Sequence, residues 1–365
     1  MMGNGLTLRL ETVTPLHIGN GDILSPYSDY IFDDETGMVY IIDPHKVEKA
    51  LYEMENNEEV IDEFVQRISA KKYTSDVYTL KHFFKEYGLD YKQLARSAVQ
   101  TNADVKNEEI QECIKSSARP FIPGSSIKGA VRTSLLFIHR QEDGFSLDDV
   151  PQNIKQSNGE DLFGEFEKDL LKHLHISDST MLKPDEIMIV KTLRFDFKKK
   201  TGTIPVTKEA IPENTQLTFR LQCKAKRNYH SLDKRFSYLY SEEGENGERK
   251  ILHMVNSFYK QLIEKEWNLL KELKIPELSL VTDLYEKLLK SAQQFEKEQN
   301  GAVMRLGSGK TFYDNTIAGL FSPQDLKKIR HKTNLGSYLP FPRTRSVIQN
   351  GQVYESVLGW VYIMI

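Results

Sequence analysis

The chain has 365 residues, 39% hydrophobic and 28% charged, with a formal net charge of −3; that composition excludes a disordered or collagen-like chain, and the length predicts two domains of the usual roughly 100–200 residues. Two cysteines far apart, Cys113 and Cys223, exclude a disulfide framework and a zinc site by spacing and suit a reducing cytosol. The opening MMGNGLTLRLETV has no signal-peptide pattern and the longest apolar run, VLGWVYIMI, is too short to span a bilayer, so a cytoplasmic location without membrane contact is expected.

The first element is a strand, with Leu6, Leu8 and Leu10 alternating against Thr7, Arg9 and Glu11. A hairpin follows, its strands at residues 30–32 and 39–42 joined by Asp33-Asp34-Glu35-Thr36-Gly37. Residues from about 45 to 115 read as a polar, acidic helical insertion. Pro120 to Gly124 leads into a helix from Ser126 to about Arg140, and residues 173–178 read as a closing strand. The pattern restarts after Pro184. A strand over 187–197, a turn at Gly202, a strand over 203–206 and an alternating strand over 215–223 are expected. Two long helices follow, the second with Val281, Leu284, Tyr285, Leu288, Leu289, Ala292 and Phe295 at helical spacing. A glycine-rich loop, a short basic helix around Leu326 to Lys332 and an apolar last strand end the chain. Strands, then helices, then a returning strand, twice over, predict an α+β protein of two ferredoxin-like (RRM-like) domains. The first spans 1–183 with the helical insertion; the second spans 184–365 with the long helices and the glycine-rich loop.

Charge is uneven. From Lys191 to Arg235 there are 12 Lys/Arg against 4 Asp/Glu, and from Gly301 to Ile348 there are 8 against 2. A polyanion responds to the local patch rather than to the sum, so solvated faces and a nucleic-acid surface are both open. Lys191 and Arg194 in the first patch are candidate RNA contacts.

Four segments carry possible chemistry. In FIPGSSIKGAVR, Ser125 or Ser126 is placed to cap a helix whose free N–H groups, with Lys128 and Arg132 one turn apart, form a phosphate cradle; an ordinary capped helix is the alternative. In TPLHIGNG, His17 beside Gly19 could act as a general base, stack on a nucleobase or serve as a structural histidine. Gly307-Ser308-Gly309-Lys310-Thr311 tempts toward a nucleotide-binding P-loop, but that motif needs a glycine where Met304 stands and a preceding apolar strand; a loop donating N–H groups to an RNA backbone, or a plain tight turn, remains. Pro340-Phe341-Pro342-Arg343-Thr344-Arg345 offers an aromatic and two arginines, or a linker. No metal-ligand cluster and no cofactor is expected.

Together these segments, with His175-Ile176-Ser177-Asp178-Ser179, resemble the RAMP superfamily of CRISPR-associated proteins across nearly the whole chain. The long helical region before Pro120, the Leu-Gly-Ser-Gly-Lys loop and the ending Leu358-Gly359-Trp360-Val361 are similar to the fifth-Csm-subunit family of type III-A effector complexes. That resemblance implies a subunit that binds guide RNA near its 3′ end and caps a filament of smaller RAMP subunits. It also implies a part in guide maturation through recruited host nucleases, with the backbone RAMP and small helical subunits as partners. The residues alone give only a two-domain RNA-binding protein that is not an enzyme. Two enzymatic readings compete: a metal-independent ribonuclease processing CRISPR repeats through His17 or His45, and a target-cleaving aspartate at Asp29 or Asp22. A purely structural partner is the third alternative.

Overall fold

The computed structural model describes residues 5–69, 78–101, 103–149, 159–225, 234–240, 245–333, 338–351 and 353–365. In chain order, β1 (Leu6–Thr12) and β2 (Gly19–Leu24) precede the hairpin β3 (Tyr30–Asp33) and β4 (Met38–Ile42). Helices α1 (Pro44–Tyr52), α2 (Asn57–Ser69), α3 (Leu80–Glu86) and α4 (Tyr91–Leu94) come next, then β5 (Ala95–Thr101), β6 (Ile110–Cys113), β7 (Lys115–Ser116) and β8 (Arg119–Pro120). The middle holds α5 (Gly124–Glu142), α6 (Glu160–Phe163), β9 (Leu174–Ile176), β10 (Met188–Asp196), β11 (Thr201–Ala210) and β12 (Gln216–Cys223). Last come α7 (Glu245–Leu273), α8 (Ser279–Glu298), β13 (Gly301–Arg305), α9 (Pro323–Thr333), β14 (Thr344–Asn350), β15 (Val353–Ser356) and β16 (Trp360–Met364).

Two sheets organise the chain. The first is five-stranded, in the order β13-β16-β1-β12-β9, and antiparallel throughout. Alternation in β1 buries Leu6, Leu8 and Leu10, which register with Leu221, Phe219 and Leu217 of β12. This face meets α5 and α7 in the main core, where Phe137 and Phe258 lie 4.9 Å apart. β16 does not alternate because it is covered twice: Val361 and Ile363 join that core, while Trp360 and Tyr362 meet Tyr285 and Phe295 of α8 on the other side.

The second sheet runs β2-β6-β11-β10-β5-β4-β3. The free edge of β10 is shared between β5, parallel at Met188 and Ile189, and β14, antiparallel from Thr192 to Asp196. α1, α2 and α3 pack on β3 and β4 around Val47, Leu51, Val60, Phe83 and Phe84, a separate small core.

The helical insertion expected over 45–115 ends at Leu94. Residues 95–101 and 110–113 are strands instead, held by pairing with β4 and β11 rather than by local preference. Gly202 lies within β11, and the turn sits before it at Lys198 to Lys200. The expected division at 183/184 falls between β9 and β10, and both sheets draw strands from both sides of it. Among the described residues no helix is long and apolar enough to cross a membrane.

Candidate nucleic-acid interface

The amino end of α5 is already filled by the chain itself. Pro123, not a serine, is the N-cap, and the Gly124 N–H donates to Asp178 Oδ1 at 2.8 Å. A Cβ at Gly124 would stand 2.4 Å from the Ile176 carbonyl, so only glycine lets the helix start against β9. Ser125 is exposed and Ser126 half-buried; neither caps. Lys128 donates to the Leu174 carbonyl at 2.9 Å, and partial burial lowers its pKa. Arg132 is bound to Asp169 and lies 4.8 Å over the Phe163 ring. The expected cradle of free N–H groups and two open cations is therefore corrected: both side chains hold the helix to its neighbours.

Open charge lies beside it, on the other face of the first sheet, over β1, β12 and β9 and beyond the part at β16 that α8 covers. There Thr7, Arg9, Thr218, Arg220 and His175 are exposed, with Lys224 just past the end of β12. Register puts Thr7 opposite Arg220 and Arg9 opposite Thr218, so the two arginines stand diagonally across neighbouring strands. Lys224 Nζ lies 3.3 Å from His175 Nδ1.

The TPLHIGNG turn, the glycine-rich loop and residues 358–359 converge. Ser308 N–H donates to the His17 carbonyl at 2.8 Å, Gly359 N–H to the Pro15 carbonyl at 3.0 Å, and Leu306 N–H to the Gly359 carbonyl at 2.8 Å. Gly307 has φ +60°, and a Cβ there would meet the His17 carbonyl at 2.2 Å. These glycines are spent on backbone packing against backbone, not on presenting N–H groups to a ligand. Lys310 is shifted down by burial, with Asp314 partly opposing. Thr311 N–H donates to Asp314 Oδ2, an arrangement unlike a phosphate-binding loop.

His17 is 4% exposed, with Nδ1 2.7 Å from the Glu209 carbonyl. Burial first, then Lys208, outweigh that bond and take its pKa down to about 4. It cannot stack on a base, and Gly19 beside it would bring a Cβ to 3.0 Å from Nε2. Cys113 Sγ is 3.6 Å from His17 Nδ1, but burial pushes the thiol well above its ordinary range, so the pair is no nucleophile. Asp29 accepts from Ser25 N–H at 2.7 Å and Ser28 Oγ at 3.0 Å, closing a turn.

The remaining candidates are ion-paired or bare. Lys191 is bound to Glu108. Arg194 is exposed on β10. Arg343 binds Asp196 through two bonds, at 2.9 and 2.5 Å, and that guanidinium holds the Asp196 carboxyl down to about 2. Arg345, 6% exposed, makes a two-bond pair with Glu266 at 2.6 and 2.8 Å. The last two arginines are thus structural clamps, correcting the expectation of phosphate grips. Sequence reasoning missed Arg9, Arg220, His175 and Lys224. For the strand residues the signal was present, since they occupy the polar half of the alternations that located the core.

A model of the RAMP superfamily matches residues 9–312. The curated Csm5 protein of Methanocaldococcus jannaschii is 27% identical, the alignment covering 99% of this chain and 90% of that protein. The Streptococcus thermophilus Csm5 protein is 25% identical over 64% of this chain and 69% of its own length. Among solved structures, a chain of a Csm–crRNA–target RNA ternary complex of a type III-A system superposes with a TM-score of 0.72 at 22% identity, covering 98% of this chain and 100% of that one. Csm5 of T. onnurineus does so with 0.65 at 20% identity, covering 97% and 99%. At these identities the superpositions establish the fold.

Proposed function

The chain belongs to the RAMP superfamily, and from that membership we propose that it is a Csm5-type subunit of a type III-A CRISPR effector complex. In that role it binds guide RNA near the 3′ end, caps the filament of smaller subunits and assists guide maturation without cutting RNA itself. The observation that carries this reading is the end-to-end likeness to the M. jannaschii Csm5 protein. Its partners are then the guide RNA, the backbone RAMP subunit, the small helical subunits and nucleases recruited for trimming. The succession β1, α5, β9, β12, α7 and a returning strand supports one ferredoxin-like unit assembled from both halves of the chain.

The non-enzymatic part rests on the fate of the candidate bases. A repeat-processing ribonuclease needs an accessible base near a 2′-hydroxyl, and His17 is sealed and neutral. Asp29 is engaged in its own turn. The open part of that face of the first sheet supplies the RNA contact: exposed cations at Arg9, Arg220 and Lys224 would meet phosphates, which fix position without reading sequence.

Tagged protein co-expressed with its companion subunits should retain guide RNA, and the purified protein should leave RNA intact with or without magnesium. Replacing Arg9 and Arg220 by alanine should flatten the slope of log K against log salt by about 0.7 for each phosphate left unneutralised. No retained RNA overturns the RNA-binding role; cleavage abolished by His17→Asn or Asp29→Asn overturns the non-enzymatic one. An unchanged slope in the double variant would move the RNA to another surface.

A further inference from the structure

A cavity of about 610 Å³ lies away from the exposed cations of the first sheet and is not used by the proposed function above. It opens between the C-terminal half of α7, α8, α9 and the loop carrying Leu339 to Phe341. Both late segments singled out in the sequence reach it: Arg305 and Thr311 from the glycine-rich segment, Phe341 and Arg345 from the proline-flanked one. The size falls in the range of sites for small organic ligands, roughly 300–1,000 Å³.

Its walls combine flat aromatic rings with paired polar groups. Tyr313, Phe341 and Trp360 supply rings, with Phe341 edge-on to Tyr313 at 6.3 Å. Arg305 is 2% exposed, yet its hydrogen bonds are sparse: Nε to the Leu358 carbonyl at 3.1 Å, and one Nη to Tyr285 and Asp314 at 3.4 Å each. A guanidinium carries five N–H donors, and among the described residues the second Nη donates to nothing. The indole N–H of Trp360 is buried and also lacks an acceptor. A buried donor left unmatched, as the indole N–H is, is costly, and a ligand with acceptors along one edge would meet both it and the open guanidinium nitrogen. At the mouth, the Lys265 ammonium stands 4.3 Å over the Tyr313 ring, and Leu339 is 71% exposed.

We propose that this pocket takes up one unpaired nucleotide of the bound RNA, its base among Tyr313, Phe341 and Trp360 and its phosphate toward Lys265. A base supplies the flat face that aromatic walls prefer and the edge acceptors that Arg305 lacks. Opposite charges inside the cavity, Arg345 with Glu266 and Arg305 with Asp314, cancel locally and disfavour a polyphosphate. The proposal rests on the RNA-binding reading for the source of the nucleotide, but the pocket chemistry is the same for a free nucleoside monophosphate.

The test uses the full chain with Trp267→Phe, which leaves Trp360 as its one tryptophan of the original two. Its fluorescence is followed on adding each of the four nucleoside 5′-monophosphates, then inorganic phosphate, then N-acetylphenylalanine amide, which does not emit with tryptophan, as a mimic of a partner's aromatic side chain. Saturable quenching by at least one nucleotide is expected, weakened about tenfold or more by Phe341→Ala. Circular dichroism of the Phe341→Ala protein confirms that it is folded, and Lys265→Ala at the exposed mouth provides a second, milder variant. Equal response to phosphate alone, or a stronger response to the phenylalanine mimic, overturns the proposal, as does no response to any nucleotide. Binding of a single-stranded RNA is measured in parallel. RNA binding without nucleotide binding sinks the pocket and leaves the proposed function standing; nucleotide binding without RNA binding does the reverse. An RNA whose terminal nucleotide is abasic separates the sources: weakened binding assigns the pocket to RNA, unchanged binding assigns it to free nucleotide and overturns the RNA assignment.

Discussion

His17 illustrates how a residue type can suggest chemistry that its surroundings forbid. A histidine at the end of a strand, followed by Ile-Gly-Asn-Gly, reads as a base or a stacking platform. In the fold it is a buried strut between the TPLHIGNG turn and β11, its Nδ1 against the Glu209 carbonyl. The sequence carries no sign of this, because the partner is 192 positions away. The consequence is measurable. Its pKa falls from 6.5 in the unfolded chain to about 4 in the fold, so the unfolded state takes up the proton first. Stability from this group is complete above pH 6.5 and is lost as pH falls through the window down to 4. Between pH 7 and pH 5 that loss is about 2 kcal/mol. Urea unfolding at both pH values should detect it. His17→Asn keeps an N–H for Glu209 but cannot titrate, so its stability should fall by clearly less over the same interval. Equal losses in both proteins would mean that His17 is protonated in the fold.

At the scale of elements, the glycine-rich loop was legible as a loop and illegible as to purpose. Gly307, Gly309 and Gly359 all have positive φ, and each faces another stretch of backbone. A glycine that serves a ligand and one that serves a neighbouring carbonyl look the same in sequence. Read as a loop that lies against guide RNA, the sequence suggests that Gly309→Val reduces RNA affinity or complex assembly and leaves the isolated fold nearly intact. The structure reverses this. Gly309 sits at φ +91°, and a Cβ there would stand 2.9 Å from the Leu358 Cβ and 3.0 Å from its carbonyl. A β-branched residue in that backbone region is strained in addition to being crowded. Gly309→Val should therefore lower stability by about 2 kcal/mol or more, read as a drop in thermal midpoint without any RNA present. A variant that melts normally would restore the ligand-facing role. The helix after Pro123 has a similar history. Its length was visible from Ile127, Ala130, Val131 and Leu135, all buried. The carboxylate that accepts from its first N–H was not, because Asp178 arrives from another segment.

At the scale of the molecule, individual strands could be read and their partners could not. Alternation located β1 and β12, and the hairpin turn located β3 and β4. Nothing local says that β1 lies between β12 and β16, strands some two hundred and three hundred and fifty residues away. The apparent restart after Pro184 therefore suggested a second domain, when the chain was in fact returning to complete sheets already begun. β16 is the critical piece. It joins β13 to β1, so the last strand and the first are neighbours in the centre of the main core. Cutting the chain at 183/184 separates β1 and β9 from β12, β13 and β16, and leaves β10 and β11 without β5 and β6. Each half then exposes apolar faces such as Leu6, Leu8 and Leu10 on one side and Leu217, Phe219 and Leu221 on the other. Each half would then have to offset the conformational entropy of ordering without the partner strands of its sheets. Expressed singly, residues 1–183 and 184–365 should be insoluble or lack a cooperative unfolding transition. Expressed together they should associate and recover one transition, because the missing strands are supplied in trans. Two fragments that each fold and melt cooperatively alone would restore the two-domain division that the sequence suggests.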